Sequence, residues 1–466
     1  EIIDADNPQK VIESDDNFGG KDTKNSYLVF SPKADKKYII KVKSVDYPGP
    51  GLGKYSLDVA EIPEINVGNP ATSGSLDVDT DAYKFYPWYY SRTNTFFDYY
   101  QLTNLPVGEP VALNLSSDDL PVVLKLHDAD NMYYYPLTSN GDAYLNTDSQ
   151  IIFVPKAGAN YIVEVNSKYN DQVGNYKVSA EKLDEFSVKD LTLRGELNQN
   201  DAYNPKKLEF FSDEYVLKDF VVDKLLTLKL ISDNAEKLQP SLEIIEVDEY
   251  KQESKVSNYG SDDDFTQLSF IPEQGKKYII RVSSSDSNQV GGYEIKAVES
   301  PTILPSITIN DNIPSQLTKN DLANPKEPNK FIKDYELDLS DFTSNSAVSL
   351  YLDATFNGFL QVFNAENITS PIYEDNDSGA NKESRTDSRI IFVPEAGKKY
   401  IVRVSSIENE EVGDFELISS YVPTISAIGK SADGSAEYSY FYNPSSGRFY
   451  DTYQLTNFLP GELATF

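Results

Sequence analysis

Cysteine is absent from this chain, which excludes disulfides, thiol nucleophiles and cysteine-ligated zinc. The one histidine, His127, is too few for an imidazole-built zinc centre. It falls in an alternating stretch, Leu124 and Leu126 against Lys125 and His127, and is expected on the solvent side of a strand. The one methionine, Met132, is internal, and the sequence opens at Glu1 with no leader-like segment, so a removed leader or a window cut from something longer is expected. Apolar runs are strand-sized, and none reads as a membrane-spanning helix. Runs of Ala, Leu or Glu at helical spacing are few, whereas 33 Tyr, 23 Phe and 25 Pro favour antiparallel strands. Almost no helix is expected. Basic residues are also scarce, 42 Lys and Arg against 74 Asp and Glu, and the net charge of −32 repels nucleic acid and anionic membrane surfaces. The acidity serves solubility or, in acid-rich turns, the binding of a divalent cation. A Gly-x-Ser-x-Gly elbow and a phosphate loop are missing too, so nucleophilic and phosphoryl-transfer chemistry lack their parts. Paired carboxylates are too common here to single out a glycosidase pair. A protein without enzymatic activity is expected.

What the chain has in abundance is repetition. The stretch RIIFVPEAGKKYIVRVSS from Arg389 is written three times upstream, as LVFSPKADKKYIIKVKS from Leu28, IIFVPKAGANYIVEVNS from Ile151 and LSFIPEQGKKYIIRVSS from Leu268. The equivalent tyrosines Tyr38, Tyr161, Tyr278 and Tyr400 lie about 120 residues apart, an ordinary domain length. In each copy large apolar residues alternate, as in Tyr161, Val163 and Val165 against Ile162 and Glu164, so each is a half-buried strand. Lys41, Glu164 and Arg281 then fall on a wet face where charge varies freely. The short run ending at Phe30, Phe153, Phe270 or Phe392 reads as a second strand, joined through Pro32, Pro155, Pro272 or Pro394 into a β-hairpin. A Gly-x-aromatic ending recurs at Gly53 and Tyr55, Gly174 and Tyr176, Gly291 and Tyr293, and Gly413 and Phe415.

This ruler divides the chain into the back part of a domain at 1–63, domains at 64–183, 184–299 and 300–422, and the front part of a further domain at 423–466. The connections, among them Pro63–Ser73 and Pro301–Asn312, are short and Pro-containing or strand-like, which favours a semi-rigid string. Half a sandwich exposes an edge and an apolar face. The end segments are therefore expected to be completed by continuation of the repeat array or by strands of the next copy. RFYDTYQLTN at Arg448 matches TFFDYYQLTN at Thr95, and DADN at Asp4 matches NAEN at Asn364, which suggests a three-domain super-repeat.

The unit, most fully EDNDSGANKESRTDSRIIFVPEAGKKYIVRVSSIENEEVGDFEL from Glu374, resembles the bacterial pre-peptidase C-terminal domain. The resemblance implies an all-β chain of tandem jelly-roll-like antiparallel β-sandwich domains in a linear array, located extracellularly or at a cell surface. Related modules are appended to secreted enzymes and surface proteins, and some bind calcium, collagen or polysaccharide. This chain departs from the pattern in having no protease domain, and in carrying Glu246, Val247 and Asp248 where the Asp-Ala-Asp turn belongs.

Two sets of residues are site candidates. The acidic loops Asp15, Asp16 and Asn17; Asp262, Asp263 and Asp264; and Asp375, Asn376 and Asp377 with Asp387 offer the hard oxygens calcium takes. Alternatively, their side chains bond to backbone and form turns. The aromatic runs Tyr86, Trp88, Tyr89 and Tyr90, then Tyr133, Tyr134 and Tyr135, and Tyr440 and Tyr442 suit a packing interface or a sugar-stacking platform. The expected role is a structural subunit of an extracellular fibre, sheath or surface layer, with copies of itself as partners; the alternative is an adhesin or carbohydrate-binding array.

Overall fold

The computed structural model describes the chain apart from residues 16–24, 45–52, 79–80, 85–94, 131–135, 141–147, 200, 202–203, 205–209, 235, 250–251, 260–264, 300–303, 341, 343–344, 379–386, 427–440, 444–447 and 458–466. The protein is all-β. Among the described residues there is no α-helix, and one 3-10 turn spans Val188–Asp190. Two compact units are distinguished, Glu1–Phe220 with Leu230–Thr266 and Glu273–Lys296, and Val221–Lys229 with Gln267–Pro272 and Ala297–Phe466. The division falls inside the stretch 184–299 and not at a linker.

In the first unit, residues 64–182 build two sheets. One orders Thr138–Asn140, Val122–Asp128, Tyr161–Ser167, Thr95–Thr103 and Glu64–Asn66, with Ala82–Lys84 attached to Thr95–Thr103. The other orders Ser149–Phe153, Val111–Ser116, Gly174–Lys182 and Thr72–Leu76. Apolar residues from both sheets, among them Phe96, Leu113, Leu124, Phe153, Tyr161 and Tyr176, share one core. That is what period-two alternation requires when each sheet turns one face inward.

The same plan recurs. Asp184–Ser187, Ser212–Lys218, Lys277–Ser284, Pro240–Val247 and Gln252–Tyr259 form a five-stranded sheet, and Thr192–Leu197, Gly291–Glu299, Leu226–Ser232 and Phe265–Phe270 a four-stranded one. In the second unit, Ser306–Thr308, Phe331–Asp338, Tyr400–Ser406, Gly358–Asn364 and Tyr373–Asp375 are joined by Leu322–Ala323, and face Asn312–Leu317, Gly413–Tyr421, Val348–Ala354 and Ser388–Phe392 across a second core. Each plan starts with a parallel pair, Glu64 with Gln101, Glu185 with Val216 and Ser306 with Glu336. A fourth such pair, Thr424–Ser426 against Gln454–Thr456, opens the segment that follows.

The repeated stretch is not the expected hairpin. Ser149–Phe153 pairs with Val111–Ser116 in one sheet, and Tyr161–Ser167 pairs with Thr95–Thr103 and Val122–Asp128 in the other. The chain between them crosses from sheet to sheet as an arch. Its linker is too long for a two-residue hairpin turn, and two apolar strands in sequence satisfy opposite walls of the core better than neighbouring positions in one wall. The arch is fixed alike in all four copies: the backbone N–H of Lys33, Lys156, Glu273 and Glu395 donates to the hydroxyl of Tyr38, Tyr161, Tyr278 and Tyr400, at 2.8 to 3.0 Å. Gly158, Gly275 and Gly397 take φ of 75°, 78° and 80° at its bend, and Asp35 takes 60° in the first copy.

In the first segment Val11–Glu13, Ile2–Asp4 and Tyr38–Ile40 form a three-stranded sheet. Leu28–Phe30 and Gly53–Leu57, expected as strands, are not strands here, although Phe30 keeps its edge-to-face contact with Tyr38 at 5.2 Å. Ile39, Ile40, Val42, Tyr55, Leu57 and Val59 are exposed.

Candidate functional site

The outward faces of the sheets carry the chemistry. In Tyr161–Ser167 every residue is buried, so its second face is not wet. The side chains expected to vary freely in water are enclosed: Glu164 and Arg281 are each 1% exposed, and Arg403 is 2% exposed. Each is paired within its own sheet. Glu164 accepts from Lys125 Nζ at 2.8 Å and lies 3.1 Å from His127 Nε2. Arg281 reaches Glu214 at 2.9 Å and Glu243 at 3.2 Å, and Arg403 bonds Asp334 at 2.8 Å while covering the Phe363 ring. Lys41, in the first copy, is exposed as expected. His127 corrects the solvent-side expectation: it is 4% exposed, with its ring edge-on to Tyr99.

What closes over the faces of Glu164 and Arg281 is the neighbouring repeat. Within the first unit, Ala112, Ile152, Val154 and Leu183 pack against Val216, Ile245, Val247 and Ile279. The first four belong to the sheet pair of 64–182 and its exit, and the second four to the five-stranded sheet of 184–284. Polar contacts surround this apolar seam. Val154 N–H donates to Asp248 O at 3.0 Å, Gln150 Nε2 donates to Glu214 at 3.3 Å, and Arg281 Nη2 donates to Gln150 Oε1 at 3.3 Å. The arch tyrosine takes part as well: Tyr161 donates its hydroxyl proton to Glu249 at 2.8 Å, and Lys156 pairs with the same carboxylate. Burial pushes the Tyr161 hydroxyl up to about 12, and Glu249 adds to the shift. Burial alone would raise Glu109, but Lys218 and Lys277 outweigh it and hold the carboxyl below its ordinary range.

Equivalent positions are used one repeat earlier. Tyr27, Val29 and Ile62 pack against Phe97, Tyr99, Ala129 and Ile162, with the Tyr27 ring 5.9 Å from Phe97 and 6.3 Å from Tyr99. By register, Val29 stands where Ile152 stands in the next junction, Ile62 where Leu183 stands, and Ile162 where Ile279 stands. In the second unit polar groups stand at the equivalent positions. Gln267, at the position of Gln150, donates to Lys319 O and Asp321 O, and Thr227 bonds Ser269 at 2.6 Å where Ala112 and Ile152 stand in the apolar version. Gln454 accepts from Ala347 N–H at 2.7 Å.

The acidic-loop candidates are partly visible. Asp15 accepts from Tyr27 N–H at 2.8 Å, and Asp375 accepts from Arg389 N–H at 2.8 Å and from Ser378 N–H at 3.0 Å. Tyr27 and Arg389 are equivalent positions, so both aspartates pin the loop to the strand that enters the arch. Asp387 is fully buried and accepts from the Tyr351 hydroxyl at 2.6 Å, while Asp377 is exposed. These geometries are those of turn and strand anchors, and among the described residues no three carboxylates converge on one point. Asp16, Asp262, Asp263 and Asp264 lie outside the described residues, as do Tyr86, Trp88, Tyr89, Tyr90, Tyr133, Tyr134, Tyr135 and Tyr440. Tyr442 falls in the short strand Phe441–Asn443. Sequence reasoning missed the junction, although charge at a fixed position in otherwise apolar strands, Glu164, Arg281 and Arg403, was its visible sign.

No protein family and no curated protein matches the sequence. Among solved structures, the pre-peptidase C-terminal domain of a collagenase from Bacillus anthracis is similar over 26% of this chain and 99% of that one, at 12% identity and a TM-score of 0.19. A triple jelly roll protein from the turret assembly of an archaeal virus is similar over 77% of this chain and 90% of that one, at 9% identity and a TM-score of 0.20. Tripeptidyl peptidase 2 is similar over 76% of this chain and 32% of its own length, at 9% identity and 0.17. At these scores none of the three bears on function. Among the described residues no helix is long and apolar enough to cross a membrane.

Proposed function

We propose that this chain is a structural segment of an extracellular fibre, sheath or surface layer. In this reading the three sheet pairs are jelly-roll-like β-sandwich domains, 64–183, 184–299 and 300–422, held in linear array. The observation that carries the reading is the junction of Ala112, Ile152, Val154 and Leu183 with Val216, Ile245, Val247 and Ile279, reproduced at equivalent positions by Val29, Ile62 and Ile162. A contact face that repeats with the domain is a device for propagating an array. The extracellular setting follows from the resemblance of the repeat, and a mechanical role is supported by the apolar junction and by the bond that the enclosed Arg281 makes across it to Gln150.

Electron microscopy of the native assembly tests this. Filaments or sheets with a regular subunit repeat are expected. Isolated particles of single-chain size at every concentration, with residues 1–63 and 423–466 freely cleaved by protease, would contradict it. Glycan binding lost on Trp88→Ala would point to the adhesin reading instead.

A further inference from the structure

In two of the three sheet pairs a chain of hydroxyl and carboxyl groups crosses the core from sheet to sheet. Tyr176 donates its hydroxyl proton to Asp98 at 2.5 Å and shares a second hydrogen bond with Tyr100 at 2.6 Å. One repeat on, Tyr293 donates to Asp213 at 2.5 Å and pairs with Tyr215 at 2.7 Å. Tyr176 and Tyr293 lie in the four-stranded sheets, whereas the aspartates and their tyrosine neighbours lie opposite. Gly74 and Gly195 stand across from the two tyrosines in register, and a Cβ at either would come within 2.3 Å of the tyrosine ring or hydroxyl. Glycine there makes room for the hydroxyl.

A second carboxyl faces each aspartate. Asp81 hydrogen-bonds to Asp98, and Asp201 acts on Asp213 through its charge. Both belong to the same turn, in which Asp81 accepts the Asp77 N–H and Asp201 the Asn198 N–H. The third sheet pair keeps the turn, with Asp321 accepting the Thr318 N–H, but changes all its partners together. Lys333 replaces the aspartate, Phe415 the donating tyrosine and Ser315 the glycine opposite it. The Lys333 ammonium lies 3.6 Å from Asp321, 3.4 Å from Ser315 Oγ and 2.5 Å from Gln316 O. Where two repeats bring carboxyl against carboxyl, the third supplies a fixed positive charge.

We propose that Asp98, facing Asp81, and Asp213, facing Asp201, each take up a proton in acid and so form acid-set latches across the first two sheet pairs, while Lys333 takes that proton's place in the third. Burial pushes Asp98 and Asp213 up to about 6, the facing carboxyls add to this, and the tyrosine donors pull the other way. Among the described residues, the other groups that act on them are tyrosines and carboxyls: Tyr27 and Tyr100 border Asp98, and Glu214, Asp184 and Tyr215 border Asp213. Because the folded value lies above the ordinary 3.8, the folded state binds the extra proton. The latch contribution is complete below about pH 4 and is lost as pH rises to about 6. Both carboxyls keep partial contact with water, so the effect per latch is discounted to on the order of tenfold in the opening equilibrium.

Hydrogen–deuterium exchange of the intact chain, corrected for intrinsic rates, tests this between pH 4.5 and 7.5. Protection in Gly174–Val178 and Gly291–Ile295 is expected to fall on the order of tenfold across that range. Gly413–Leu417 is expected to change distinctly less, its smaller slope coming from Asp353, which burial raises. General easing of charge repulsion in acid acts on all three segments, so the difference between them is the signal. Asp98→Asn with Asp213→Asn should remove the excess slope from the first two segments and leave the third as it was. Equal slopes in all three segments of the wild-type chain, or an excess slope that survives the double substitution, would overturn the proposal.

Discussion

Replacing Arg281 by alanine probes the junction at its most enclosed charge. The guanidinium is 1% exposed and bridges Glu214 and Glu243, whose side chains are 6% and 12% exposed, and it also donates across the junction to Gln150. Its removal leaves two carboxylates in a site closed to water by Val216, Ile245 and the neighbouring Ile152. Breaking a buried ion pair from one side costs about 3–5 kcal/mol, whereas an exposed pair is worth about 0–1 kcal/mol. The gap between those figures decides whether the face is buried. Substituting the whole cluster, Arg281→Met with Glu214→Met and Glu243→Met, leaves no orphaned charge and should recover most of the loss. Urea unfolding, with exchange in Lys277–Ser284 as a local readout, reports both variants. If Arg281→Ala costs under about 0.5 kcal/mol, the cluster is wet and the junction does not exist as described.

Ile152→Asp places a charge in the apolar seam without touching the core of its own sheet pair, and should open the 183–190 connection to limited proteolysis while residues 64–182 stay folded. Tyr161→Phe removes the acceptor for Lys156 N–H and the donor to Glu249 together, and should cost about 1–3 kcal/mol; an unchanged melting temperature would show that the arch needs only the ring. The acidic loop at Asp262, Asp263 and Asp264 predicts that calcium raises the melting temperature and EDTA lowers it. No response to either would leave these residues as turn formers.

Much of the fold was legible because strands alternate and this chain repeats. Tyr161, Val163 and Val165 announce one buried face, and four copies of that pattern set the spacing of the array. The arch was not legible as such, since two consecutive apolar strands look alike whether they pair with each other or close opposite walls of a core; only the linker from Val154 to Asn160 distinguishes the cases. The parallel pairs that open each repeat, such as Glu64–Asn66 with Gln101–Thr103, join strands far apart in sequence and leave no local mark. The junction was hidden for a different reason. Alternation separates core from non-core, but it does not separate water from a neighbouring domain, so Glu164 and Arg281 read as solvent-facing when each is buried with a partner of opposite charge directly across on the adjacent strand. Asp98, Asp213 and Lys333 were equally opaque, because their meaning lies in the tyrosine, glycine or serine that changes with them on another sheet.

The absence of cysteine makes the central claim directly measurable. Spin labels at Lys177→Cys and Lys237→Cys, both exposed and on successive repeats of the first unit, report the distance across the junction by pulsed electron resonance. A junction fixed by Ile152 against Ile245 and Val247 predicts one narrow distance, broadened by Ile152→Asp. A broad distribution in the unmodified background would mean that the repeats are loosely strung, and would contradict the account.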